Sequence, residues 1–192
     1  MFCARAGASC GLVTSTTNCG NSATVNCGGC TAPQYCGGGG VANVCGGVQV
    51  LYPKAATYSR TYTAACPLGK VPVWQTFQWQ ASVPANTSIV FQAQTAQDTL
   101  GSPGIYGPAV PIGTANNANT GTSTPTQWVT DTCSVDQHLR NLSTPVSCPG
   151  VSPSQVSQVW LKVDMTLYSN PEQTMSPSLY GWKQTFDCIA NE

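Results

Sequence analysis

The residues able to do chemistry are few and uneven in kind. Of 192 residues, eleven are cysteine, one is histidine and seven are acidic. Thiolates attack electrophiles or ligate metals, and Cys27-Gly28-Gly29-Cys30 has the spacing of half a zinc site. A ribbon-type site wants a second Cys-x-x-Cys, which the chain lacks, and no βαβ pattern surrounds this one as a redox dithiol requires. Cysteine at this density points instead to disulfides in an oxidising, extracellular compartment. Cys3, Cys10, Cys19, Cys27, Cys30, Cys36, Cys45, Cys66, Cys133, Cys148 and Cys188 are therefore read as a disulfide framework, with no metal and no cofactor expected. Their odd number leaves one sulfur without a partner inside the chain.

Acid–base catalysis needs two carboxylates across a cleft or a Ser-His-Asp relay. Asp98, Asp131, Asp136, Asp164, Glu172 and Asp187 form no such spacing. Asp131 and Asp136 flank Cys133 close to His138, so Asp136 and His138 with a serine make the best triad or metal candidate. A salt bridge or helix cap around a disulfide accounts for the same residues more simply. There is no Gly-x-Ser-x-Gly elbow and no His-Glu-x-x-His. The four glycines at 37–40 are not a phosphate loop, because no strand precedes them and no Lys-Ser/Thr follows. The chain reads as non-catalytic.

Aromatic rings are the other candidate. Trp74, Trp160 and Tyr168 fall at the polar positions of alternating segments, where exposure is expected, and exposed rings stack on sugar faces. Gln78 and Gln80 supply amides for hydroxyl groups. The competing account is that these rings are covered by the other sheet, by the cysteine-rich segment or by a neighbouring molecule. Asn86-Thr87-Ser88 and Asn141-Leu142-Ser143 match the N-glycosylation pattern.

Composition narrows the partners. Charged residues make up 7% of the chain, against about 25% in an ordinary domain. The formal net charge is zero, which argues against nucleic acid and anionic membrane surfaces. Ser, Thr, Asn and Gln number 65, so neutral hydroxyls and amides hydrate the surface. No apolar run reaches the roughly 18 residues of a membrane span. The start at Met1-Phe2-Cys3 shows none of the features of a signal peptide, so a mature or excised piece is expected.

The chain divides near residue 47. Residues 1–47 hold seven cysteines and eleven of the 19 glycines, with too few rings for a core, so disulfides must hold them. The run Cys10-Gly11, Asn18-Cys19-Gly20, Asn26-Cys27-Gly28-Gly29-Cys30, Tyr35-Cys36-Gly37 and Val44-Cys45-Gly46 resembles a Cys/Gly-rich module of secreted and surface proteins of myxobacteria and related bacteria. That resemblance implies extracellular placement but supplies no activity. The module's pattern has an eighth cysteine ahead of the first seen here, which would explain the odd count.

Residues 48–192 read as an all-β domain. Val159–Tyr168, Ser88–Thr95, Val73–Ala81, Tyr58–Cys66 and Tyr180–Cys188 alternate with period two, placing Ile89, Phe91 and Ala93 inward, and Val73, Phe77, Trp79 and Ala81 likewise. Prolines punctuate them as in an antiparallel β-sandwich. Ser134–Leu142 is the one helix candidate, and Leu100–Thr126 reads as a long polar loop. Of three connectivities for the last four cysteines, Cys66–Cys188 with Cys133–Cys148 is preferred, on the premise that first and last strands are neighbours. Trp160–Asn170 followed by Ser176–Trp182 resembles the closing hairpin of bacterial jelly-roll modules, which implies a jelly-roll or lectin-like sandwich. The expected function is a non-catalytic structural or adhesive protein of the cell surface or matrix, a fibre subunit that contacts itself or other surface proteins. The alternative is a carbohydrate-binding module.

Overall fold

A computed structural model describes residues 2–17, 20–117, 127–141, 148 and 155–190. The chain forms two compact units, Met1–Leu51 and Tyr52–Glu192. Among the described residues no helix is long and apolar enough to cross a membrane.

The first unit holds a single helical turn, α1 (Phe2–Arg5), a hairpin of β1 (Leu12–Thr16) and β2 (Ser22–Asn26), and two minimal strands, β3 (Tyr35–Cys36) and β4 (Cys45–Gly46). Among its described residues only Cys10 is fully buried, so apolar packing cannot hold it. Three disulfides do: Cys3–Cys27, Cys10–Cys36 and Cys30–Cys45. The Asn43 amide donates to the carbonyls of Cys10 and Leu12 at 3.1 and 3.2 Å, tying the β3–β4 turn to the hairpin. Close backbone approach explains a glycine here, since a Cβ on Gly38 would lie 2.1 Å from the Gly46 carbonyl oxygen. Cys19 lies outside the described residues.

The second unit is an all-β, antiparallel sandwich. One sheet has the order β10 (Val110–Ala115), β7 (Ser88–Ala96), β12 (Trp160–Tyr168), β5 (Ala55–Thr63); the other has β11 (Val129–Thr130), β6 (Lys70–Ser82), β13 (Ser178–Ala190). Nearly every connection between these strands crosses from one sheet to the other. Alternation in β7 and β12 buries Ile89, Phe91 and Ala93 on the same face as Leu161, Val163 and Met165, as period two dictates. Phe77 and Trp79 of β6 meet Phe91 across the interface, with ring centroids 5.0 and 4.8 Å apart.

Four expectations need correction. Trp74, expected at the surface, is 1% exposed. Register explains it: Trp74 pairs with Phe186 and Phe77 with Gln184, so Gln75 and Thr76 together oppose Thr185 alone. That bulge reverses the in-out parity along β6, and Trp74 and Phe77, three residues apart, both face the core. Second, the stretch read as a loop contains β10, whose Val110, Ile112 and Ala115 are buried. Pro111 and Gly113 masked the pattern, and they are accommodated because β10 is an edge strand with its own irregularity at those residues. The same stretch also carries β8 (Asp98–Thr99) and β9 (Ser102–Pro103), while residues 118–126 lie outside the described set. Third, β12 and β13 belong to different sheets and form no closing hairpin. Fourth, the first and last strands are not ladder neighbours. They are edges of the two facing sheets, and Cys66–Cys188 joins one sheet to the other.

Helix α2 (Val135–Arg140) is short and doubly capped. Ser134 and Gln137 form a reciprocal capping box, and Asn141 closes the C-terminus in the left-handed region at φ 53°. Val135 and Leu139 enter the core, while Leu142 lies outside the described residues. Cys133, one residue before the cap, pairs with Cys148.

The two bridges of this unit differ in span, with sequence separations of 122 and 15. Loop-closure entropy assigns roughly 5 kcal/mol to the long loop and about 3 kcal/mol to the short one. The Cys66→Ala/Cys188→Ala double variant is thus expected to lose more unfolding free energy in urea than Cys133→Ala/Cys148→Ala. Equal losses, or the reverse order, would contradict that assignment.

Candidate functional site

The best acid–base candidate does not assemble into a relay. Asp136 accepts from Ser157 Oγ at 2.7 Å and from Arg140 Nε at 2.8 Å, whereas His138 Nε2 meets Asp131 Oδ2 at 2.5 Å. The aspartate that holds the serine is therefore not the one that holds the histidine. Ser157 Oγ also accepts from the Trp74 backbone N–H at 3.1 Å, and Trp74 Nε1 donates to the Gln158 carbonyl at 2.8 Å. This network fixes α2 and the 155–159 segment to β6, a structural task. Beside it a cavity of about 170 Å³ is lined by Gly113, Thr114, Asp131, Thr132 and His138.

Among the described residues, two groups bring three potential metal ligands within 4.8 Å: Asp131, Cys133 and His138, and Cys10, Cys30 and Cys45. Every cysteine in them is bonded to another sulfur. A disulfide sulfur carries no thiolate charge, which leaves two ligands in the first group and none in the second.

The candidate glycan residues do not converge. Trp160 and Tyr168 lie on the outer face of the four-stranded sheet at opposite ends of β12, about 26 Å apart at the usual strand rise. Trp160 Nε1 is held by Asp98 Oδ1 at 2.8 Å. Gln78 and Gln80 lie on the outer face of the other sheet, where Gln78 Nε2 donates to Thr130 Oγ1. Trp74 is in the core. Trp128, which no alternating pattern singles out, is 38% exposed near Gly181 and Gln80, with the Lys183 ammonium 4.5 Å from its ring centroid.

What the fold leaves uncovered is an edge. β5 pairs with β12 on one side and, among the described residues, with no strand on the other. Tyr58 and Arg60 stand opposite Met165 and Val163 and so face inward, yet both are exposed; Tyr58 retains 47% of its surface. In the facing sheet β13 is likewise an edge, and Tyr180, Phe186 and Ile189 are exposed on it. The two edges touch through a few rings. Tyr58 and Trp182 have centroids 5.4 Å apart, and Trp182 Nε1 donates to the Tyr62 hydroxyl at 2.7 Å. At the opposite flank α2 packs on both β6 and β10. One flank of the sandwich is thus closed and the other is open. Two long strands with free backbone groups and exposed rings form a surface suited to strand addition.

Sequence reasoning missed this surface because exposure on both faces depends on which strand ends a sheet. Its local signal was the run Tyr58, Arg60, Tyr62, where a charge interrupts an otherwise apolar inward face. Comparison with known proteins found no matching family, no similar curated protein and no similar solved structure.

Burial raises the Tyr62 phenol above its ordinary value of 10.0, against the opposing effects of the Trp182 hydrogen bond and the Arg60 charge. The folded chain therefore holds this proton more tightly than the unfolded chain. Its stabilising effect is intact below pH about 10 and is lost as pH rises through the unfolded and then the folded value. Unfolding free energy measured from pH 8 upward is expected to fall at the alkaline end, and less steeply in Tyr62→Phe. A variant profile as steep as the wild type would remove Tyr62 as the cause.

Proposed function

We propose that this chain is a non-catalytic, extracellular structural or adhesive protein that associates with copies of itself, as a subunit of a fibre or surface matrix. The observation that carries this reading is β5: nine residues without proline, exposed on both faces and, among the described residues, unpaired along one edge. Such an edge is ordinarily shortened, covered or heavily charged in a protein that works alone. With 7% charged residues, little repulsion opposes close packing of neighbours. Five disulfides suit an oxidising surroundings where an assembled protein must persist. The cysteine count is odd, and a cysteine left over from these bridges would offer a covalent tie between copies.

A carbohydrate-binding reading is favoured by one observation, a cleft of about 410 Å³ lined by Thr95, Gln97, Ile105, Gln155, Val156 and Gln158. Amides and a hydroxyl beside apolar side chains match the alternating polar and apolar faces of a sugar. On a glycan array, binding that disappears in Gln97→Ala and Gln158→Ala would support this second reading, and an array without signal would remove it.

The principal reading is tested by sedimentation across a range of concentrations with the odd cysteine capped, followed by electron microscopy. Mass that rises with concentration and regular assemblies are expected. A monomer throughout would overturn self-association.

A further inference from the structure

The backbone hydrogen bonds that flank β5 set the direction of all its polar groups. Ala64 N–H donates to the Val159 carbonyl at 2.9 Å, and Ser169 N–H donates to the Lys54 carbonyl at 3.2 Å. Residues 64 and 54 are thus the hydrogen-bonded members of their pairs with the strand that continues β12. In an antiparallel ladder such pairs alternate. The N–H and C=O groups of Ala55, Thr57, Ser59, Thr61 and Thr63 therefore point to the open edge.

About Ser59 one residue type repeats at equal distance, Thr57 and Thr61, while the next inner-face positions, Tyr58 and Arg60, are unlike and complementary. Thr57 and Thr61 flank it on the outer face, and Tyr58 and Arg60 flank it on the inner face. We infer that two copies of the chain join β5 to β5′ antiparallel across a two-fold axis through Ser59, so that each Arg60 lies opposite the other copy's Tyr58. This deepens the self-association reading and rests on it; the interface it names is isologous.

Three features select this register and a second copy as the occupant. It is the one in which all nine residues overlap, and its hydrogen-bonded pairs are those whose polar groups already point outward. It places Ser59 beside Ser59′ and Thr57 beside Thr61′, a match of small polar side chains; the Ser59 hydroxyl itself donates to Asp164 Oδ1 and Thr57 Oγ1 bonds Thr166 Oγ1 within the chain's own sheet. On the inner face it sets a guanidinium against a phenol ring at non-hydrogen-bonded positions, where side chains approach closest. Arg60 is the one charge on β5, and among the described residues no ion pair includes it. Sliding the strand by one step toward longer residue numbers puts Arg60 directly against Arg60′, a like-charge pair that opposes the slip. Sliding the other way shortens the ladder and sets Tyr58 against Tyr58′, leaving both cations unmatched.

The test uses the full chain with the odd cysteine capped. Amide exchange is followed at Thr57, Ser59 and Thr61, and sedimentation is repeated on Thr61→Pro, which deletes one outward N–H, and on Arg60→Glu at an exposed position. The three amides are expected to be protected at high concentration and to exchange freely on dilution. Each variant is expected to weaken dimerisation by about tenfold or more while leaving far-ultraviolet circular dichroism and the thermal midpoint of the monomer in place. Association that survives in Arg60→Glu and Thr61→Pro, or free exchange at Ser59 in the assembled protein, overturns the β5 pairing and leaves self-association standing. A wild-type chain that stays monomeric overturns both. Should Thr61→Pro fail to fold, Arg60→Glu and the exchange data decide.

Discussion

The ring of Trp79 is the point on which the second unit turns. Its centroid lies 4.8 Å from that of Phe91 in the opposite sheet and 6.1 Å from that of Phe77 in its own strand. A Cβ on Gly113 of β10 would lie 3.0 Å from its outer edge. A side chain at 113 would require the Trp79 ring to give by a few tenths of an ångström. That packing outweighs an unmet demand, since the buried indole nitrogen has no hydrogen-bond partner among the described residues. Leaving such a donor unmatched costs about 1–3 kcal/mol. Fully burying a large side chain contributes a comparable amount, and the two flanking rings add more.

Around that contact, polar groups are buried in pairs that serve the fold. Ser157 and Asp136 are both nearly inaccessible, and each is satisfied: the serine by donating to the carboxylate, the carboxylate by also accepting from Arg140. The backbone of Trp74 is drawn into the same network. A core with so few charges can tolerate one ion-supported knot if every lone pair is used. The knot anchors the short helix, and the helix in turn closes one flank of the sandwich. No equivalent element closes the flank at β5 and β13 among the described residues, so the asymmetry between flanks follows from where α2 sits.

How much of this was legible depends on how local the determining physics is. β7 and β12 could be read residue by residue because they are regular, and Ile89, Phe91, Leu161 and Val163 obey period two to the end. β6 could be read only beyond Thr76, because a two-against-one bulge leaves no mark in the residue types that form it. β10 was hidden by Pro111 and Gly113, whose meaning reverses once the strand is known to be an edge. The capped helix was visible at Ser134 and Gln137 because capping is a three-residue affair. The exposed Tyr58 and Arg60 were beyond reach, since alternation states which residues share a face but not whether anything covers it. Gln78 and Gln80 were grouped with Trp160 for the same reason, although they occupy opposite outer faces.

The bridge between Cys66 and Cys188 also sets how the chain carries load. A pull applied to chain outside that loop passes from one sulfur to the other and bypasses β6 through β12, which therefore cannot be drawn out while the bridge is intact. In the first unit, Cys30–Cys45 likewise shields the residues it encloses. Between Cys45 and Cys66 nothing is shielded, and that interval contains β5. Its chain can lengthen to about 70 Å when straightened, at the reach of an extended backbone. Under tension the bridge holds β6 through β12 together, while β5, held only by its ladder to β12, lies in the interval that no disulfide shortens.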